Sequence, residues 1–145
     1  AVSFCACPCR AGVSRTFAGF GQRDEPTMVA FGEALTFQTK IGRAQIEKRS
    51  RELTQNLLKG LKTIDGVRIW TSPDPSRGVA VVSFQPGSLD VRKLSTALYQ
   101  KDHVGCATRG GQDRAGIRLS PHFYNTHADI DRTVAAIKKY QATGV

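Results

Sequence analysis

Arg118 stands in Gly116-Ile117-Arg118-Leu119-Ser120-Pro121, where two apolar residues alternate with polar ones. A period of two marks a strand with one buried face, and Pro121, lacking a backbone donor, ends it. An arginine held on a strand presents a planar fork of N–H donors that matches a carboxylate. Thr126 follows as an N-cap candidate, with Asp129 three residues later in the positive first turn of a helix. The competing use of Arg118 is structural: it caps the following turn or pairs with Asp113 or Asp129. Cys106 is the second reactive candidate, since a thiolate there is favoured by His103, Arg109 or Arg114. As a small buried strand residue it would instead be inert. Cys5, Cys7 and Cys9 invite a metal, but zinc sites pair Cys-x2–4-Cys units, and the sequence has no second unit. His103, His122 and His127 lack a metal spacing, and His122 and His127 read as hydrogen-bonding residues local to the turn and cap.

These side chains need elements to hold them. Pro26 suits the first turn of a helix that carries Met28, Phe31 and Leu35. Ile41-Gly42 breaks it. A second helix runs to about Lys62 with Ile46, Leu53, Leu57, Leu58 and Leu61 on its apolar face, joined by Ile64, and Glu47, Lys48, Arg49, Arg51 and Glu52 on the wet side. Asp65-Gly66 closes it. Val67 to Trp70 alternates like an edge strand, a proline-rich loop follows, and Val79 to Phe84 reads as a central strand. After Pro86-Gly87, Ser88 or Asp90 caps a helix with Val91, Leu94 and Leu98 on one side. A strand around Cys106 and a Gly110-Gly111 loop lead to the strand of Arg118, in a hairpin-like pair that brings Cys106 near Arg118. The last helix carries Ile130, Val134 and Ile137. The order is helix, helix, strand, strand, helix, strand, strand, helix. That predicts an α+β domain: a small antiparallel or mixed sheet with helices on one face.

The chain has 145 residues, 40% of them hydrophobic and 23% charged, enough for one domain with a core. No apolar run is long enough to span a membrane as a helix. The net charge of +9 admits an acidic partner, nucleic acid or an anionic cofactor. The charges are scattered through helices, as on a solvated basic face. Residues 1–20 have no helical or strand period and no acidic residue, and read as an irregular or disordered leader. The expected compartment is the cytoplasm, or an organelle if residues 1–20 are a transit segment.

Arg118-Leu119-Ser120, then Phe123-Tyr124-Asn125-Thr126, then Asp129-Ile130-Asp131-Arg132 resembles the end of the class V aminotransferases. These are fold type I pyridoxal-phosphate enzymes and include cysteine desulfurases, isopenicillin N epimerase-like proteins and selenocysteine lyases. The likeness extends more weakly back to about Gly21, about the last third of a usual family chain. It implies that residues 21–145 are the small C-terminal domain, with 21–40 an interface or linking helix. It implies that Arg118 binds the α-carboxylate of an amino-acid substrate. It places Gln22 where the family has the threonine of a Gly-Thr pair that reaches the cofactor phosphate of the partner subunit in a homodimer. It makes Cys106 a candidate for the persulfide-forming cysteine that some desulfurases carry before the arginine. The family's cofactor-bearing lysine lies upstream of the Gly-Thr pair, and no lysine precedes Gly21 here. The expectation is therefore the carboxylate-binding portion of a longer pyridoxal-phosphate enzyme (aminotransferase, epimerase, lyase or desulfurase), inactive alone and completed by a large cofactor-binding domain. The alternative is a stand-alone basic α+β binding module, with nucleic acid as its candidate ligand. No nucleic-acid motif and no aromatic series on a strand supports it. An exposed apolar face on the helix after Pro26 would favour the first reading, and binding with a steep salt dependence the second.

Overall fold

The structure is a computed structural model that describes residues 24–78, 80–111 and 113–145. They form α1 (Glu25–Ile41), α2 (Arg43–Lys62), β1 (Val67–Ile69), β2 (Val82–Pro86), α3 (Val91–Asp102), β3 (Ala107–Arg109), β4 (Gly116–Leu119) and α4 (His127–Thr143). This is the expected order of helices and strands. Two compact units result, divided between Lys40 and Ile41. The predicted leader over residues 1–20, with Cys5, Cys7 and Cys9, lies outside the described residues.

In the first unit, Asp24 accepts a bond from the Thr27 backbone N–H at 3.2 Å and opens α1 ahead of Pro26. The Thr27 hydroxyl also bonds to Asp24, and these bonds lower the carboxyl's pKa. No residue of α1 is buried, and Met28, Phe31 and Phe37 are each about 60% exposed. Gly42 then takes a φ of 95°, a left-handed region that favours glycine, and ends the helix where the sequence predicts a break.

The second unit is built around one sheet in the order β1-β2-β4-β3, antiparallel throughout. Alternation along β2 buries Val82, Phe84 and Pro86, and β4 buries Ile117 and Leu119. That face meets Leu53, Leu57, Leu58 and Leu61 of α2, Leu94 and Leu98 of α3, and Ile137 of α4 in a single hydrophobic core. Burying a leucine or phenylalanine of this kind contributes roughly 1.5–3 kcal/mol each. The helices α2, α3 and α4 cover one face of the sheet, as the α+β expectation requires.

Close approach fixes how α2 meets α4. A Cβ at Gly60 would lie 2.6 Å from a methyl of Val134, so only glycine lets the helices seat as they do. Across the sheet, a Cβ at Gly116 would lie 2.2 Å from the Phe84 carbonyl oxygen, so β4 needs glycine at its first position.

The edge strand expected to reach Trp70 ends at Ile69, the strand expected around Cys106 starts at Ala107, and the central strand shifts furthest. Val79 to Phe84 was the expected span; the strand is Val82–Pro86. Arg51 of α2 reaches into the preceding loop, donating to the Gly78 carbonyl at 2.7 Å and also to the Pro75 carbonyl. The Gly78 carbonyl therefore has a side-chain partner in place of a strand. At the other end the ladder runs on to Pro86, which pairs with Val67 at the strand terminus, where a missing N–H does no harm.

Candidate functional site

The sheet face turned away from α2, α3 and α4 carries the candidate arginine. Arg118 alternates with buried neighbours on β4 and Arg68 with half-buried ones on β1, and both arginines are exposed. Arg118 pairs in register with Ser83 on one side and Ala107 on the other. Both flanking side chains are short, which leaves room for its guanidinium. Ala107, Thr108, Arg109 and Arg118 line a cleft of about 200 Å³. Among the described residues no carboxylate pairs with Arg118. Of the structural alternatives for this arginine, Asp113 forms no salt bridge with it and Asp129 is engaged by other groups. Asp129 is bound by Thr126 and by Arg132 at 3.2 Å.

The turn after β4 is held rigidly. The Asn125 side chain accepts from the His122 backbone N–H at 2.8 Å. Thr126 and Asp129 form a full capping box, with Thr126 N–H donating to the Asp129 carboxylate at 2.9 Å and Asp129 N–H to the Thr126 hydroxyl at 3.2 Å. These bonds, the Thr126 backbone first, hold the Asp129 carboxyl below its usual pKa. At the other end of the core, Asp90 caps α3 through the Arg92 and Lys93 backbone N–H groups, each at 2.9 Å, so of the two expected caps it is Asp90 that acts.

His127 departs from expectation. The sequence reads it as local to the cap, yet its ring bridges to α2. Nε2 lies 2.9 Å from Glu52 and Nδ1 3.0 Å from the Asn56 amide. Arg49 sits 2.8 Å from the same Nε2 and donates to the Asn125 carbonyl at 3.1 Å. The partners are over seventy residues away in sequence, so no local pattern could reveal them. Arg49 first, with His127 adding to it, lowers the pKa of Glu52.

Cys106 is one residue before Ala107, the register partner of Arg118, so it lies beside Arg118 along the sheet but faces the other way. Its thiol donates to the Ser95 hydroxyl of α3 at 3.3 Å, and the side chain packs against the core. His103 caps α3 in a left-handed conformation with φ 56°, a helix-ending role. Among the described residues no group of three or more His, Cys, Asp or Glu could hold a metal ion, and no helix is long and apolar enough to cross a membrane. Gln22 lies outside the described residues.

Known proteins share both this sequence pattern and this helix-covered antiparallel sheet. The sequence model of the family described as aminotransferase class-V matches residues 21–133. This chain belongs to the class V aminotransferases. That family is one of pyridoxal-phosphate enzymes. A probable cysteine desulfurase from Xylella fastidiosa (strain 9a5c) is 37% identical over 118 residues, covering 73% of this chain and 27% of the relative. An isopenicillin N epimerase from Streptomyces clavuligerus is 30% identical over 119 residues, covering 81% of this chain and 30% of the relative. The chain thus spans less than a third of the length of the curated class V relatives it matches. Among solved structures, the cysteine desulfurase CsdA from Escherichia coli, in an S-sulfonic acid form, aligns with a TM-score of 0.75 at 20% identity, over 88% of this chain and 33% of that one. At that identity the match shows the fold, which is the fold type I arrangement the class V resemblance implied.

Proposed function

We propose that this chain supplies the substrate-carboxylate-binding portion of a larger pyridoxal-phosphate enzyme acting on an amino acid, with Arg118 as the residue that grips the α-carboxylate. The observation that carries the reading is Arg118 itself: exposed on a strand, flanked by short side chains, and without a carboxylate partner among the described residues. Two parallel N–H···O bonds from a guanidinium fix both position and orientation of a carboxylate. Each such charged bond contributes roughly 1.5–3 kcal/mol.

The described residues fit the substrate end of this chemistry. Every described lysine lies on a helix, and none stands on the strands that carry Arg118. The groups that hold the cofactor are therefore assigned elsewhere: to a large domain that completes the enzyme, and to Gln22, whose amide would donate to the phosphate from the partner subunit of a homodimer. Bound pyridoxal phosphate supplies an electron sink that weakens the bonds at the substrate Cα. The part played by this chain is orientation: holding the carboxylate sets which Cα bond is presented for cleavage. The apolar face of α1 (Met28, Phe31, Leu35) supports the larger assembly, because a surface of this kind marks a contact with further protein.

Arg118→Lys in the complete enzyme tests the assignment. Lysine keeps the charge and loses the fork, so kcat/KM for the amino-acid substrate should fall by about 10- to 100-fold, as expected for one lost charged hydrogen bond, with the thermal midpoint nearly unchanged. Unaltered kinetics would remove Arg118 from the site.

A further inference from the structure

Arg118 does not stand alone in its cleft. Alternation along β3 puts Arg109 on the same face as Ala107, and Ala107 is the register partner of Arg118. Arg109 itself pairs with Gly116, which has no side chain to stand between the two arginines. They are therefore diagonal neighbours on one face, a separation of roughly 7–8 Å that long side chains span easily. Both line the same cleft of about 200 Å³. Among the described residues no carboxylate pairs with either. Two like charges share one exposed recess without a counter-charge from the fold, a local positive field that favours an anionic ligand. A single carboxylate is satisfied by one fork and leaves the second guanidinium unmatched.

We propose that Arg109 is a specificity-determining residue and that the cleft takes an amino acid whose side chain ends in a second anionic group, a dicarboxylic amino acid. This rests on the assignment of Arg118 to the α-carboxylate: Arg118 holds that group and Arg109 the distal one. Diagonal placement fits such a ligand, because its two carboxylates are separated by a short aliphatic chain that lies over Ala107. An amino acid with a neutral or thiol side chain leaves Arg109 unused.

The test is a titration of this 145-residue chain, labelled with nitrogen-15, reading the arginine side-chain Nε–H resonances. Arg109→Gln and Arg118→Gln identify the two signals. The probes are glutarate, with two carboxylates, and butyrate, with one, at matched ionic strength. The expected result is that glutarate shifts both signals along one isotherm and binds about tenfold more tightly than butyrate, the gain of a second charged contact. Arg109→Gln should erase that preference, weakening glutarate binding far more than butyrate binding. Equal affinity for the two probes, a preference that survives Arg109→Gln, or a still Arg109 signal overturns the proposal while leaving Arg118 in its role, provided butyrate shifts the Arg118 signal. If neither probe shifts Arg118, the carboxylate assignment falls, and this inference with it.

Discussion

Arg118 and Cys106 show how one residue of register decides chemistry. Both were legible as candidates in the sequence, and the hairpin that joins their strands was legible too. Which way each points was not, because that depends on the pairing of β3 with β4. The pairing sets Ala107 opposite Arg118 and turns Cys106, one position earlier, toward α3. A persulfide-forming cysteine has to reach substrate. A thiol bonded to Ser95 and packed against the core does not face the arginine cleft. Cys106→Ala is therefore expected to leave carboxylate binding unchanged, and to leave sulfide release unchanged if the complete enzyme is a desulfurase. A sulfide assay on both forms checks this, and lost release would restore the persulfide role to Cys106. The position of His127 belongs to the same scale. Its type and place at a helix start were visible, but its partners Glu52 and Asn56 come from a helix far along the chain, and only the packing of α2 against α4 reveals them.

That packing turns on Gly60. Leucine spacing made α2 readable, and Ile130 with Ile137 made α4 readable, because periodicity survives in a single sequence. The glycine in α2 carries no such signal: by propensity it is simply poor in a helix. Its reason is the 2.6 Å that an added Cβ would leave to Val134, a stiff β-branched side chain. Gly60→Ala is expected to lower stability by up to about 2 kcal/mol in denaturant unfolding, overpacking of about 1–3 kcal/mol set against a helix-propensity gain of about 1 kcal/mol. In a Val134→Ala background most of that loss should disappear, since the two methyls are gone and only the Cβ of residue 134, at 3.3 Å, still crowds the added carbon. A loss of equal size in both backgrounds would mean the contact is not what excludes a side chain. The start of β2 was misplaced for a related reason. Val79, Ala80 and Val81 are apolar, two of them β-branched, but Arg51 takes the Gly78 carbonyl just ahead of them. A side chain from another element overrode the local pattern.

At the scale of the whole molecule, the class V family and its α+β fold were legible because the Arg118 motif and the order of elements agree with each other. The role of Gln22 and the nature of residues 1–20 were not, since they depend on residues outside the described structure. The helix α1 carries Met28, Phe31 and Leu35 at helical spacing and all of them exposed. This chain by itself is expected to self-associate as concentration rises, with sedimentation velocity reporting the shift. Replacing Met28, Phe31 and Leu35 together by serine should hold it as a monomer with the thermal midpoint of the second unit unchanged. A chain that stays monomeric at high concentration without those substitutions would show that α1 is not a contact surface.

The sheet is bounded differently. Its outermost strands, β1 and β3, have three residues each, and β1 ends where the Arg68 guanidinium lies 4.3 Å above the Trp70 ring. Strands this short, with charge on their exposed positions, offer almost no free backbone to template another strand. The described sheet is thus guarded against fibrillar growth along its hydrogen-bonding direction, which leaves side-chain contacts as its route into an assembly.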